Sequence, residues 1–437
     1  MLILNFQVAS PPAKDYTWVC AAMDTANIKG MQTGNRIQMN SQPNPLVDCG
    51  KPLFFQVANS QAADITAPAL RMGEAVRLYV RSLSLMQKEA LAASAHSGAV
   101  WRLASDEGAY LAGLDAAPCP LAFFSTGMVC SFMNEILALA KIRGLAVNNI
   151  RLVQDNYYTM RGSARDGSMT GGARNVDLSV QMDSDADRDS LYQLAMEGVA
   201  AAPVNGLLRG SKSSLFSLTH NGRRIETGRA LPPGGPTLPD LGDRFTPAQP
   251  ADADFSGLVR RNGPSPRLEH TVTLANDSLA ERQDRLLHLR VICAVREDGA
   301  KEVTQYLYNP HGTSFHFLCD EAPIAGGGGL APDAASYLSA GIGFCFMTQF
   351  GRYAKIMHKD LREYRIVQDT HFSPGGASGG TGQAGTAAPV ETHVYLETGE
   401  DDDFARNILA MAEQTCFLHA LCKTDLKIRV KVEPLSR

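Results

Sequence analysis

SDEGAYLAGLDAAPCPLAFFSTGMVCSFMNEILALAKIRGLAVNNIRLVQD, residues 105–155, and CDEAPIAGGGGLAPDAASYLSAGIGFCFMTQFGRYAKIMHKDLREYRIVQD, residues 319–369, read alike at a constant offset. Asp106-Glu107 matches Asp320-Glu321, Pro118 matches Pro332, and Phe132-Met133 matches Phe346-Met347. Ala140-Lys141-Ile142 matches Ala354-Lys355-Ile356, and Val153-Gln154-Asp155 matches Val367-Gln368-Asp369. The offset is the same for every pair (320 − 106, 332 − 118 and 367 − 153 are equal), and no gap is needed. We read this register as an internal duplication.

Working outward, both halves give the same order of elements. Strands rich in Val, Leu, Phe and Arg (78–84, 287–296) precede a long helix of small and apolar residues (120–143, 334–358). A strand (150–158, 364–372), a Gly-rich loop and another strand (176–182, 390–397) come next. A second helix follows (187–208, 402–422), and SLFSLTH or LKIRVKV closes each half as a strand. Asp185, Asp187 and Asp189, like Asp401, Asp402 and Asp403, stand at the start of the second helix, where carboxylates complement the helix dipole. The Gly-rich stretches 161–174 and 374–389 lack the phosphate-loop pattern and lead into strands, so they are read as flexible loops. The Pro- and Gly-dense segment 227–250 is read as a linker. The expected division is 1–226 for the first repeat, 227–262 for the linker region and 263–437 for the second repeat. Residues 1–75 precede any clear repeat.

Composition narrows the function. Of the 437 residues, 44% are hydrophobic and 20% charged, enough to build a sizeable core. A net charge of −4 is too balanced for a nucleic-acid binder that relies on bulk charge. Nine scattered cysteines, an odd number, do not form a secreted disulfide framework, and no zinc-binding spacing occurs. No metal and no cofactor is expected. MLILNFQVASPPAKDY at the amino terminus has too short an apolar run and too little positive charge for a signal peptide. The apolar stretches 121–140 and 334–350 are at or below bilayer-crossing length and read as buried core helices. A cytoplasmic protein without membrane association is the expectation.

DEAPIAGGGGLAPDAASYLSAGIGFC in the second half resembles the segment leading to the reactive cysteine of the OsmC/Ohr family, the osmotically induced and organic-hydroperoxide-resistance proteins. In that family an Asp-Glu pair, a Gly-rich turn and a Pro precede a small-residue helix, which bears a cysteine thirteen places after the Pro. Cys345 stands thirteen places after Pro332. The family's second cysteine corresponds to Cys416 in EQTCFLHAL, where Phe417 replaces the usual Pro. The resemblance spans roughly 75–220 and 263–437. It implies an α+β fold in which two fused repeats form an intramolecular pseudo-dimer, with central helices flanked by β-sheets. At the repeat offset, the first half has Ser131 at the reactive position and Ala202 at the second, so it reads as a copy without either thiol. Cys130 is one residue off register, a rotation of about 100° on a helix, and with Cys119 is read as a small buried apolar residue.

The resemblance implies a thiol-dependent peroxidase. Cys345 would attack an organic hydroperoxide, Cys416 would trap the sulfenic acid, and a dithiol, typically lipoyl, would reset the disulfide. An ordinary thiol is only about 3% thiolate at pH 7. The family therefore holds an Arg against the sulfur, oriented by a Glu nine residues before the Cys. That position is Ser336 here; Asp333 is a substitute within one turn, and Arg290 and Arg296 are candidates for the activating Arg. Two other readings stay open: a non-catalytic binding protein for an apolar small molecule, and a diverged enzyme that uses Cys345 on another substrate.

Overall fold

Residues 43–84, 86–268 and 278–435 are described by the computed structural model, and the readings placed on residues 1–16 and on Cys20 lie outside them. From Pro43 the chain forms α1 (Pro45–Asp48) and β1 (Phe55–Gln56), then β2 (Glu74–Ser82), β3 (Lys88–Ser94) and β4 (Val100–Ser105). Helix α2 (Pro120–Arg143) leads to β5 (Asn149–Ser163), β6 (Thr170–Ala173) and β7 (Val176–Asp183). Helices α3 (Arg188–Ala201) and α4 (Asn205–Leu208) and strands β8 (Leu215–His220) and β9 (Arg223–Ile225) follow. The second half runs β10 (Val259–Pro264), β11 (Arg282–Val295), β12 (Lys301–Asn309), β13 (Thr313–Cys319) and α5 (Ala334–Met357). It ends with β14 (Glu363–Phe372), β15 (Glu391–Glu397), α6 (Asp402–Thr415), α7 (Phe417–Lys423) and β16 (Ile428–Pro434).

Local chemistry accounts for the helix boundaries. Pro120 opens α2 at its first turn, where a missing N–H costs nothing, and Gly144 closes it in the left-handed conformation at φ 64°. Asp333 caps α5 by accepting from Ser336 N at 2.7 Å. Among the acidic residues at the start of the second helices, Asp187 and Asp401 do the capping, on Ser190 N and Phe404 N. Each second helix was expected to be continuous but is broken in two. The break falls at Ala202–Val204, where Pro203 cannot donate, and at Cys416, whose backbone is extended (φ −71°, ψ 118°).

The result is a mixed α+β architecture with two multi-stranded sheets. One sheet has the order β1-β4-β3-β2-β14-β15-β8-β9 and the other the path β10-β13-β12-β11-β5-β7-β16. Each takes strands from both halves of the chain. β2 pairs antiparallel with β14, β11 with β5, and β8 and β16 each run parallel to a strand of the other half (β8 on β15, β16 on β7). Helix α5 packs on β2, β3 and β14, α2 packs on β5, β11, β12 and β13, and the two helices pack on each other. Pro120–Arg143 has the length and apolar composition of a membrane span, and it is buried in this core.

Segment 227–250 is tied down by packing. Leu241, Phe245 and Ala248 are buried with Phe55, Tyr79, Leu91, Val367 and Tyr395 on the outer face of the first sheet. The Gly-rich stretches are also anchored: 161–174 contains β6, while Ala377 N and Ser378 N donate to Glu135.

Candidate active site

Cys345 lies at the middle of α5, where small residues let the helices approach closely. A Cβ on Gly341 would stand 2.6 Å from Phe124, and one on Gly127 would stand 2.6 Å from the Ala334 carbonyl oxygen. Cys416 occupies the break between α6 and α7. The fold brings these two cysteines, 71 residues apart in sequence, to a sulfur–sulfur distance of 3.3 Å, with Cys416 Sγ donating to Cys345 Sγ. Both are buried free thiols. His419, one turn into α7, places Nδ1 3.2 Å from Cys416 Sγ. Its ring packs against Phe346 and Phe216, and burial lowers its pKa to about 4, so the imidazole is neutral at neutral pH.

The residues around Cys345 come from both halves. A cavity of about 30 Å³, room for one water-sized group, is walled by Leu121, Leu287, Leu307 and Phe417 and reached by Glu107, Arg285 and Arg352. Glu107 accepts from Tyr110 OH at 2.8 Å and from Thr348 Oγ1 at 3.1 Å. The two guanidinium groups converge on one residue: Arg352 Nε donates to Ser278 O at 2.8 Å, and Arg285 Nη1 donates to Ser278 Oγ. The buried ammonium of Lys88 lies close enough for its charge to be felt at both Glu107 and Cys345.

Electrostatics pull the thiol in two directions. Burial pushes the Cys345 thiol well above the ordinary range, and the adjacent Cys416 adds to this. The backbone N–H groups of Leu418 and Phe417, at the start of α7, work the other way. Burial likewise raises Glu107 and lowers Lys88, each effect partly offset by the opposite charge of the other.

Several sequence expectations change. Arg290 is paired with Asp155, its Nη2 2.8 Å from Oδ2, and Arg296 is paired with Asp298 and Glu302. Strand alternation explains the miss at Arg290. On β11 the odd-numbered residues 283–293 face the core, so Arg285 points in and Arg290 points out. Arg352 was legible in principle, since it is seven residues after Cys345 and on the same helical face. Asp333 does not substitute for the family Glu. It caps α5 and accepts from Ser94 Oγ, while Ser336 is fully buried. The carboxylate in the Cys345 cavity is Glu107, contributed by the other half.

Four of the remaining cysteines fall into two places. Cys130 faces Cys293 and Cys319, and burial raises its thiol well above the ordinary value. Cys119 lines the Cys345 cavity, and burial with help from Glu107 pushes it up to about 12. Ser131 lines a separate cavity, and Ala202 is buried.

Residues 326–431 match the family model described as OsmC-like protein. Among solved structures, an OsmC-like hydroperoxide resistance protein from Jannaschia sp. CCS1 is similar at 22% identity, over 29% of this chain and 80% of that one, with a TM-score of 0.18. No curated protein matches the chain.

Proposed function

We propose, from the match of residues 326–431 to the OsmC-like family model, that the chain is a thiol-dependent peroxidase of organic hydroperoxides with one site, Cys345 and Cys416. The 3.3 Å contact between two thiols far apart in sequence carries this reading. A disulfide needs such neighbours, and unlike the buried Cys130, Cys293 and Cys319 this pair opens on a cavity, through Cys345, and has His419 beside it.

The Cys345 thiolate attacks the outer peroxide oxygen, the O–O bond breaks, and the alkoxide leaves as the alcohol after taking a proton. Cys345 is then a sulfenic acid. The Cys416 sulfur attacks it, the S–S bond forms, and hydroxide departs as water. The Cys416 proton goes to the departing hydroxide, and the neutral His419 ring, Nδ1 3.2 Å from Cys416 Sγ, holds that sulfur in place. A dithiol reductant of the lipoyl type returns both cysteines to thiols. Lys88, whose charge is felt at Cys345, favours the thiolate, and Arg285, Arg352 and apolar side chains line the same cavity.

We further read the chain as two fused repeats forming an intramolecular pseudo-dimer. The boundaries of α2 and α5, and of α3 and α6, keep the sequence offset at both ends (334 − 120, 357 − 143, 402 − 188 and 415 − 201 are equal). On this reading Ser131 and Ala202 mark a first repeat that lacks both thiols.

Peptide mapping and thiol counting after one equivalent of cumene hydroperoxide, with hydrogen peroxide alongside, test the proposal. Expected are a Cys345–Cys416 disulfide, loss of peroxide consumption in Cys345→Ser, and accumulation of Cys345 sulfinic acid in Cys416→Ser. Cys130→Ser should leave consumption nearly intact. The raised pKa of Cys345 favours the competing reading, a non-catalytic binding protein for an apolar molecule. A Cys345 that stays a free thiol after this treatment would overturn the peroxidase reading.

A further inference from the structure

The cavity at Ser131 is the larger of the two described, at about 380 Å³, and its polar groups have a specific pattern. Some are already engaged. Glu135 accepts from Ala377 N, Ser378 N and Ser378 Oγ, and Asp333, just behind the wall, caps α5. Others are not. Among the described residues, Glu74 has no hydrogen-bond or ion-pair partner. Glu321 takes bonds from Asn134 Nδ2 (2.7 Å) and Ala334 N (3.2 Å) on Oε1 alone, leaving Oε2 without one. Asn134 Oδ1 is buried and unpartnered, with the amide orientation set by the Nδ2 bond to Glu321.

Lys301, only 7% exposed, lines the same cavity without an ion pair or hydrogen bond among the described residues, and its charge is felt at Glu321. A buried, unpaired ammonium is costly unless something anionic meets it. The cavity therefore holds three unfilled acceptors and one unfilled cation. A primary ammonium has three donors, and a carboxylate accepts from a lysine.

We propose that this cavity binds a zwitterionic small molecule, its ammonium on Glu74, Glu321 Oε2 and Asn134 Oδ1 and its carboxylate on Lys301. The apolar walls, Leu137, Leu338 and Phe372, would hold a hydrocarbon portion between or beside the charges. The volume suits an amino acid or a dipeptide. The crowding of carboxylates fits this reading. Burial first, then Asp333, raises Glu321 to about 7, while burial first, then Glu321, Asp333 and Glu135, raises Glu74 well above the ordinary carboxylate value. A bound ammonium would relieve that repulsion as a proton does. The inference does not depend on the chemistry of Cys345, which lines a different cavity.

Isothermal titration calorimetry on the full chain tests it, with glycyl-leucine as probe and isoamylamine and isocaproate as single-charge controls. Saturable dipeptide binding is expected, with each control weaker by about tenfold or more. Lys301→Met and Glu74→Gln should each weaken the dipeptide about tenfold. Glu74 is half-buried at the first position of β2, so its Gln variant keeps the fold and serves if Lys301→Met does not. Cys345→Ser should bind the dipeptide as the parent does. Absence of saturable binding at millimolar dipeptide overturns the proposal. So does amine binding as tight as the dipeptide's and unchanged in Lys301→Met, or dipeptide binding unchanged in Glu74→Gln.

Discussion

His419 shows how one buried side chain couples the thiol pair to pH. Its ring is fully buried beside Cys416, and burial holds its pKa near 4, against about 6.5 in an unfolded chain. Above pH 6.5 neither state is protonated and the group is neutral to stability. As pH falls through 6.5 the unfolded chain takes up a proton that the folded ring refuses, so stability drops until about pH 4. By pH 5 this amounts to roughly 2 kcal/mol. His419→Gln removes the linkage, so the variant should lose less stability than the parent between pH 7.5 and pH 5. Urea denaturation at the two values measures it, and parallel losses would show that the ring is not the origin of acid sensitivity. The same residue scale accounts for what the sequence left hidden at the site. Cys345 and Cys416 stood out because two cysteines fell at two spaced positions. Glu107 and Lys88 did not, because their place beside Cys345 depends on how one half folds against the other. Arg285 needed only the alternation of a single strand to be preferred over Arg290.

At the scale of elements, the crossing of α2 and α5 is set by two glycines. An added Cβ at Gly127 meets the backbone of Ala334 and Leu338, and one at Gly341 meets Phe124, all between 2.6 and 2.8 Å. Backbone atoms of a packed helix cannot move aside as a flexible side-chain end can. Ala is the better helix former by about 1 kcal/mol, so in an exposed helix either change would stabilise. Here overpacking outweighs propensity, and Gly127→Ala and Gly341→Ala should each destabilise by about 1–3 kcal/mol. A lower denaturation midpoint with an unchanged m-value is the expected signature, and a raised midpoint would mean the helices can separate at no cost. The sequence announced both helices through their small-residue composition and their common offset. It did not announce which small residues meet, because contact between helices follows from the sheets that position them. Of the two breaks in the second helices, the one at Pro203 was legible, and the one at Cys416 was hidden for a related reason. Cys416 carries no intrinsic helix-breaking signal, and only tertiary packing holds its backbone extended.

At the scale of the whole molecule, strand exchange decides how the chain holds together. β11 pairs with β5 from Arg282↔Ser163 to Ala294↔Arg151, and β2 pairs with β14 from Glu74↔Phe372 to Arg81↔Arg365. Two buried or half-buried ion pairs, Arg77–Asp369 and Arg290–Asp155, bridge those same strand pairs. Neither half can complete a sheet alone, so covalent continuity through segment 227–250 should be dispensable once the protein has folded. That segment was legible as a connection from its Pro and Gly content. Its second role, covering one sheet with Leu241 and Phe245, was not, since isolated apolar residues in an irregular stretch carry no periodicity. The bond to cut lies between Gly234 and Gly235, which have open space around them. A protease site inserted there should be cleaved in the native protein, and the two fragments should co-elute in gel filtration at the volume of the intact chain. They should part only in denaturant, because separation exposes the unpaired edges of β2, β5, β11 and β14 together with the buried faces of α2 and α5. Fragments that separate in native buffer would mean that the connecting segment, rather than the exchanged strands, holds the halves together.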